Sequence, residues 1–148
     1  MLNEIERKLQ RPFPPLQLDW RRGYKDGPKN LAYLTARHVQ NRLDQVFGLA
    51  GWQTNFEFMG GRMICNLSVL IDGNWITKAD GAGDTDIEGD KGGISSAFKR
   101  AAVHLGIGRY LYHKEAFDIN QTPAKWATPE GFDELMDERA LEEGEKSV

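Results

Sequence analysis

Hydrophobic positions along the chain follow two periods, and the switches between them mark its elements. From Asn30 to Phe47, Leu31, Leu34, Val39, Leu43, Val46 and Phe47 fall near one face of a 3.6-residue helix. Gln40, Asn41 and Asp44 fall mostly elsewhere, so a first long helix is predicted, stopped by Gly48. Trp52, Thr54, Phe56 and Phe58 then alternate at period two, which predicts a strand over Trp52–Phe58. Gly60-Gly61 reads as a turn, Arg62–Ile71 as a second strand, Asp72-Gly73 as a hairpin and Asn74–Ala79 as a third strand. After a glycine-rich loop, Gly81 to Gly93, the helical period returns. Ile94, Ala97, Phe98, Ala101, Ala102 and Leu105 form the most regular stripe in the chain, which Gly106 and Gly108 end. The fold class predicted is α+β: a helix, a three-stranded antiparallel β-meander, and a helix packed on the sheet, each apolar stripe burying the other.

The flanking segments are less regular. Residues 1–10 read as a short polar helix or frayed end. Arg11 to Pro15 holds three prolines in five residues and is an extended break. Leu16–Arg22 alternates enough to suggest a short strand, and Gly23–Pro28 a loop. Beyond Gln121 the pattern allows an acidic helix from Pro129 to Glu143. The expected organisation is an N-terminal segment (1–10), a core domain (11–120) and an acidic tail (121–148). No internal repeat is visible.

Composition supports one folded core: 148 residues, 40% hydrophobic and 10% aromatic. No apolar run approaches the roughly 20 residues of a membrane helix. Met1 to Lys8 is charged and lacks the apolar stretch of a secretory signal. With one cysteine, Cys65, internal disulfides are excluded and a reducing cytoplasmic setting is expected. The net charge of −3 argues against a polyanionic partner only until its distribution is seen. Residues 1–120 carry 16 Lys+Arg against 14 Asp+Glu, whereas residues 121–148 carry 3 against 8. Local potential, not the total, governs contact with nucleic acid.

Candidate chemistry is sparse. No Ser–His–Asp set stands out, Cys65 lies within a predicted strand as a core residue, and His38, His104 and His113 lack metal-ligand spacing. The loop Asp84, Asp86, Glu88, Gly89, Asp90 resembles the first half of an EF-hand, but the twelfth position, which needs a bidentate Glu, is Ser95. These carboxylates suit a weak divalent site or a solvated loop. With Asp80 they also permit a two-metal nuclease. Otherwise no metal and no cofactor is expected.

The basic residues cluster more tellingly. Ser96, Lys99, Arg100, Val103 and His104 share the face of the second helix opposite its core stripe, and such a row can meet a phosphate backbone. A solvated helix face would read the same way. Arg21, Arg22, Lys25 and Lys29 form a second group at a strand end and loop. Arg37, His38 and Arg42 lie on the polar side of the first helix, and Arg62 at a hairpin base. Trp20, Tyr24, Trp52, Trp75 and Tyr110 can stack on bases, with Trp52 and Trp75 expected in the core.

The run from Gly92 through Lys99-Arg100-Ala101-Ala102 to Gly106-Ile107-Gly108-Arg109-Tyr110-Leu111-Tyr112 resembles the signature helix of the Rad-fifty-two-type single-strand annealing proteins, especially their bacteriophage members. Ala32 to Val39, Phe47-Gly48, Gly51-Trp52 and Leu18-Asp19-Trp20-Arg21 resemble the family's first helix, its exit and the strand before it; the likeness spans roughly residues 11 to 115. It implies a non-catalytic protein of homologous recombination and DNA repair that binds single-stranded DNA and pairs complementary strands. It also implies a homo-oligomeric ring or filament whose basic groove holds phosphates with bases outward. Lys99, Arg100 and Arg21 match groove cations. A further one falls at His38 or its neighbour Arg37, and the next groove arginine is replaced by Val103-His104. Arg22, Lys29, Arg62 and His104 join these as candidate DNA-binding residues. The resemblance lacks the eukaryotic C-terminal partner-binding region. That favours a phage or prophage origin, with a phage exonuclease or single-strand-binding protein as a further partner and no membrane. A strand-coating protein that does not anneal remains the other binding reading.

Overall fold

The computed structural model describes residues 2–83 and 93–146. They form two compact units: Thr35–Ile107, and a second built from Met1–Leu34 with Gly108–Val148.

In the unit Thr35–Ile107, the helix α2 (Ala36–Phe47) is followed by strands β3 (Trp52–Met59), β4 (Arg62–Ile71) and β5 (Asn74–Gly81), and then by helix α3 (Ile94–Val103). The three strands form one antiparallel sheet in the order β3-β4-β5. This is the expected meander. Tight turns at Gly60-Gly61 and Asp72-Gly73, all with positive φ, join strands that follow one another in the chain. Register runs without interruption from Trp52↔Val69 to Met59↔Arg62, and from Ile64↔Gly81 to Ile71↔Asn74. Strand parity therefore sorts every side chain onto one of two faces. One face carries Cys65, Leu67 and Val69, all fully buried. α3 covers this face along β4 and β5 with Ala97, Phe98, Ala101 and Ala102, all buried. The three alanines let the helix approach closely. α2 touches α3 and β3, burying Val39 and Leu43. Trp52 bridges these layers: its ring stacks on Phe98 with centroids 6.0 Å apart, and its indole N–H donates to Asp44 at 2.8 Å.

Several expectations are corrected. Trp75 is not core: it pairs with Leu70 on the sheet face away from α3 and is 47% exposed. Ile94 stands at the free end of the α3 stripe and is also exposed, while Arg42, expected on the polar side of α2, is buried beside Leu43. The first long helix starts six residues later than its periodicity suggests. Leu31–Tyr33 is instead a strand, β2, paired antiparallel with β1 (Asp19–Arg21). The partner strand across the 22–30 loop satisfies the backbone groups of Leu31–Tyr33, so the i, i+3 spacing of Leu31 and Leu34 does not extend the helix. Thr35, extended at φ −79° and ψ 158°, marks the true start.

The second unit is held by its two chain ends. A short helix α1 (Glu4–Gln10) is capped by Asn3, whose side chain accepts from the Glu6 amide at 2.8 Å. The expected strand Leu16–Arg22 shortens to Asp19–Arg21, because Pro15–Gln17 forms a 3-10 turn that leaves Leu16 fully exposed. The acidic C-terminal segment is a helix, α4 (Pro129–Lys146), longer than the pattern indicated. It is tied to α1. Arg11 clamps the Asp133 carboxylate with Nε and Nη2 at 3.0–3.1 Å, and Arg7 reaches Asp137 at 2.8 Å. Leu9, Phe13, Leu18, Leu34, Ala116, Ala127 and Met136 supply this unit's buried apolar side chains.

Candidate nucleic-acid interface

α3 starts at Gly93, in the left-handed region at φ 84°, and packs its small residues on the sheet, which leaves Lys99, Arg100 and His104 on its remaining surface. The face expected to be solvated is only partly so: Ser96, Lys99 and Val103 are half-buried, while Arg100 and His104 are exposed. Successive residues of a helix turn by about 100°, so Lys99 and Arg100 diverge, whereas Arg100 and His104, four residues apart, share a flank.

That flank faces a carboxylate. Asp80 sits opposite Cys65 in the β4–β5 ladder, so parity puts it on the sheet face that α3 covers. Its Oδ1 lies 3.5 Å from Arg100 Nε, and its Oδ2 accepts from His104 Nε2 at 3.0 Å. The Gly81 amide donates to Oδ1 at 2.7 Å. Partial burial pushes the Asp80 carboxyl upward. The His104 and Gly81 hydrogen bonds and the charges of Arg100 and His104 outweigh it and hold the group below its ordinary range. Asp80 is thus a resident anion beside two of the predicted cations. Sequence reasoning placed it only among nuclease carboxylates. The readable signal was the Asp72-Gly73 hairpin, which fixes the register and hence the face.

The remaining candidates divide between the units. In the unit Thr35–Ile107, Arg37 is exposed in the first turn of α2, whereas His38 is half-buried with Nδ1 3.1 Å from Thr35 Oγ1. Arg62, next to the Gly60-Gly61 turn, lies by parity on the sheet face opposite α3, apart from Lys99 and Arg100. In the other unit, Arg21 lies over the Tyr33 ring at 5.7 Å. Arg22 donates to the Gly27 carbonyl at 2.8 Å, and Lys29 offers an exposed side chain while its carbonyl accepts from Gln121 at 2.7 Å. Two aromatic candidates are structural. Trp20 meets Phe117 edge-on at 5.0 Å, and the Tyr110 hydroxyl accepts from the Phe13 amide at 3.0 Å.

Among the described residues no group of three or more His, Cys, Asp or Glu side chains is placed to hold a metal ion. Asp84, Asp86, Glu88 and Asp90 lie outside the described residues. Cys65 is fully buried, and burial pushes its thiol up to about 11, so the nucleophilic thiolate is disfavoured. No described helix is long and apolar enough to cross a membrane.

These features define an α+β protein with a helix–meander–helix unit whose sheet-packed helix displays cations. Comparison with known proteins narrows the class. Residues 1–127 match the Rad52/22 family double-strand break repair proteins, and the chain belongs to that family. It is 35% identical over 117 residues to the single-stranded DNA-binding protein DdrA of Deinococcus deserti, which covers 75% of this chain and 58% of that protein. It is 30% identical over 132 residues to the DdrA protein of Deinococcus radiodurans, covering 85% of this chain and 59% of that protein. The chain therefore spans less than two thirds of the length of these curated relatives.

Proposed function

We propose that this protein binds single-stranded DNA and pairs complementary strands in recombination and repair, acting as a homo-oligomeric ring or filament without bond-making chemistry. The observation that carries the reading is the cation row of α3 in a chain of the Rad52/22 family, whose DdrA relatives bear the name single-stranded DNA-binding protein. Lys99, Arg100 and His104 contact phosphates from α3, and Arg37, the exposed member of its pair, does so from α2. Arg21, Arg22 and Lys29 contribute from the other unit.

The physics asks little of each subunit. Two strands repel, and each folds on itself. Lys and Arg contacts displace condensed counterions, which supplies affinity without sequence preference. Holding the backbone with bases outward orders the strand before its complement arrives, so part of the alignment entropy is already met. Repetition around an oligomer turns weak contacts into a continuous track.

The test is a Lys99→Ala/Arg100→Ala double variant titrated against a labelled oligonucleotide by fluorescence anisotropy, with circular dichroism and size-exclusion chromatography alongside. Loss of binding in a folded, normally assembled variant is expected, and normal affinity would overturn the assignment. Two complementary labelled oligonucleotides then separate annealing from mere coating. Degradation with magnesium that stops on chelation would replace this reading with the nuclease one.

A further inference from the structure

The β1–β2 connection, residues 22–30, is folded tightly for a nine-residue loop. Arg22 Nε donates to the Gly27 carbonyl at 2.8 Å, the Gly27 amide donates to the Tyr24 carbonyl at 3.0 Å, and the Asn30 amide to Pro28 at 3.0 Å. Asp26 adopts a left-handed conformation, φ 63°, to turn the chain. Gln121 braces the far end through the Lys29 carbonyl at 2.7 Å.

This scaffold holds Tyr24 out. The residue is 70% exposed, yet its ring lies against Gly27, where a Cβ would come within 2.8 Å of ring atoms Cε2 and Cζ. Only glycine leaves room for the ring to rest on the loop backbone, so the loop props the aromatic on one side and leaves the rest open. The neighbours of Tyr24 along the chain are mostly cations: Arg21, Arg22, Lys25 and Lys29 are exposed, with Asp26 the one acid between them in the sequence. An open aromatic side chain in a cation-rich loop fits an unpaired nucleobase with phosphates on either side. It fits a duplex poorly, because there each base face is already covered by the base pair stacked next to it.

We propose that this loop is a nucleobase platform, with Tyr24 stacking on one base of a single strand while the flanking cations take adjacent phosphates. The proposal rests on the single-stranded DNA reading for its ligand and adds a contact to the base itself.

The test compares two fluorescent oligonucleotides of equal length, one of thymidines and one with abasic sites throughout, which share phosphates but not bases. The full-length wild-type protein should bind the base-bearing strand about ten-fold more tightly, the scale of one stacked base. Tyr24→Leu should lose most of that preference while keeping its affinity for the abasic strand, and Tyr24→Phe should retain the preference. Gly27→Ala, which dislodges the ring without removing it, should reduce it. Quenching of 2-aminopurine in a bound strand should follow the same order, and circular dichroism confirms that each variant folds. A wild-type protein that binds both strands equally, or a Tyr24→Leu variant with undiminished preference, refutes the platform and leaves the phosphate-binding reading standing. Failure of the wild-type protein to bind either strand refutes that reading instead.

Discussion

Asp80 makes a specific demand on the proposed interface. Its carboxylate lies beside Arg100, so if Arg100 meets phosphate as proposed, Asp80 competes with the DNA for it. Asp80→Asn removes the charge, keeps one oxygen at the Oδ1 position to accept from Gly81, and puts an amide NH2 at the Oδ2 position that can donate to His104 Nε2 in its other tautomer. The loss to the fold is therefore mainly the Arg100 pair at 3.5 Å, with side chains 49% and 30% exposed. A pair so open to solvent is screened and contributes about 0.5–1 kcal/mol. For a chain of this size the melting temperature should fall by roughly 1–4 °C. The gain lies in binding. Freeing Arg100 for about one further phosphate should steepen the slope of log affinity against log salt by roughly 0.7, the single-strand value per contact. Relief of about 1 kcal/mol of repulsion should tighten binding about five-fold at low salt. Anisotropy titrations across a sodium chloride series, with thermal melts of the same samples, measure both effects. A folded Asp80→Asn protein with unchanged slope and affinity would show that Arg100 does not meet phosphate. Weaker binding would show that Asp80 positions Arg100 instead of competing for it. Because the folded carboxyl is held low, its stabilisation is present above the ordinary carboxylate range and is lost as pH falls through its lowered value. The stability gap between wild type and variant should accordingly close in acid.

Three other outcomes follow from the packing. Gly51→Ala should destabilise by about 2 kcal/mol or more in chemical denaturation, because a Cβ there would overlap the Phe47 carbonyl oxygen at the exit of α2. A double-mutant cycle on Arg11→Ala and Asp133→Asn should give a coupling of about 0.5–1 kcal/mol that shrinks in high salt, since their bidentate contact is partly exposed. Cys65 should resist a thiol reagent at neutral pH in the native state and react once denaturant opens the sheet; rapid native labelling would contradict its burial.

The meander and α3 were legible because they are local. Period-two and period-3.6 stripes, closed by Gly60-Gly61, Asp72-Gly73 and Gly106, carry their own instructions over a dozen residues or fewer. The start of α2 was not legible. Leu31 and Leu34 fit the helical stripe, and only the pairing of Leu31–Tyr33 with Asp19–Arg21 assigns them to a hairpin and its exit. Trp75 shows the same limit. Alternation set its parity, but not which sheet face α3 would cover. For the candidate interface, the sequence by itself determined the cations of α3, their order along one helix, and the family to which that string belongs. Tertiary structure alone decided that Asp80 on β5 meets Arg100 and His104 on α3, and that Arg62 lies on the face of the sheet that α3 leaves uncovered. Periodicity reports which face of an element a residue occupies. What that face meets depends on contacts between segments far apart in the chain, and those exist only once the chain has folded.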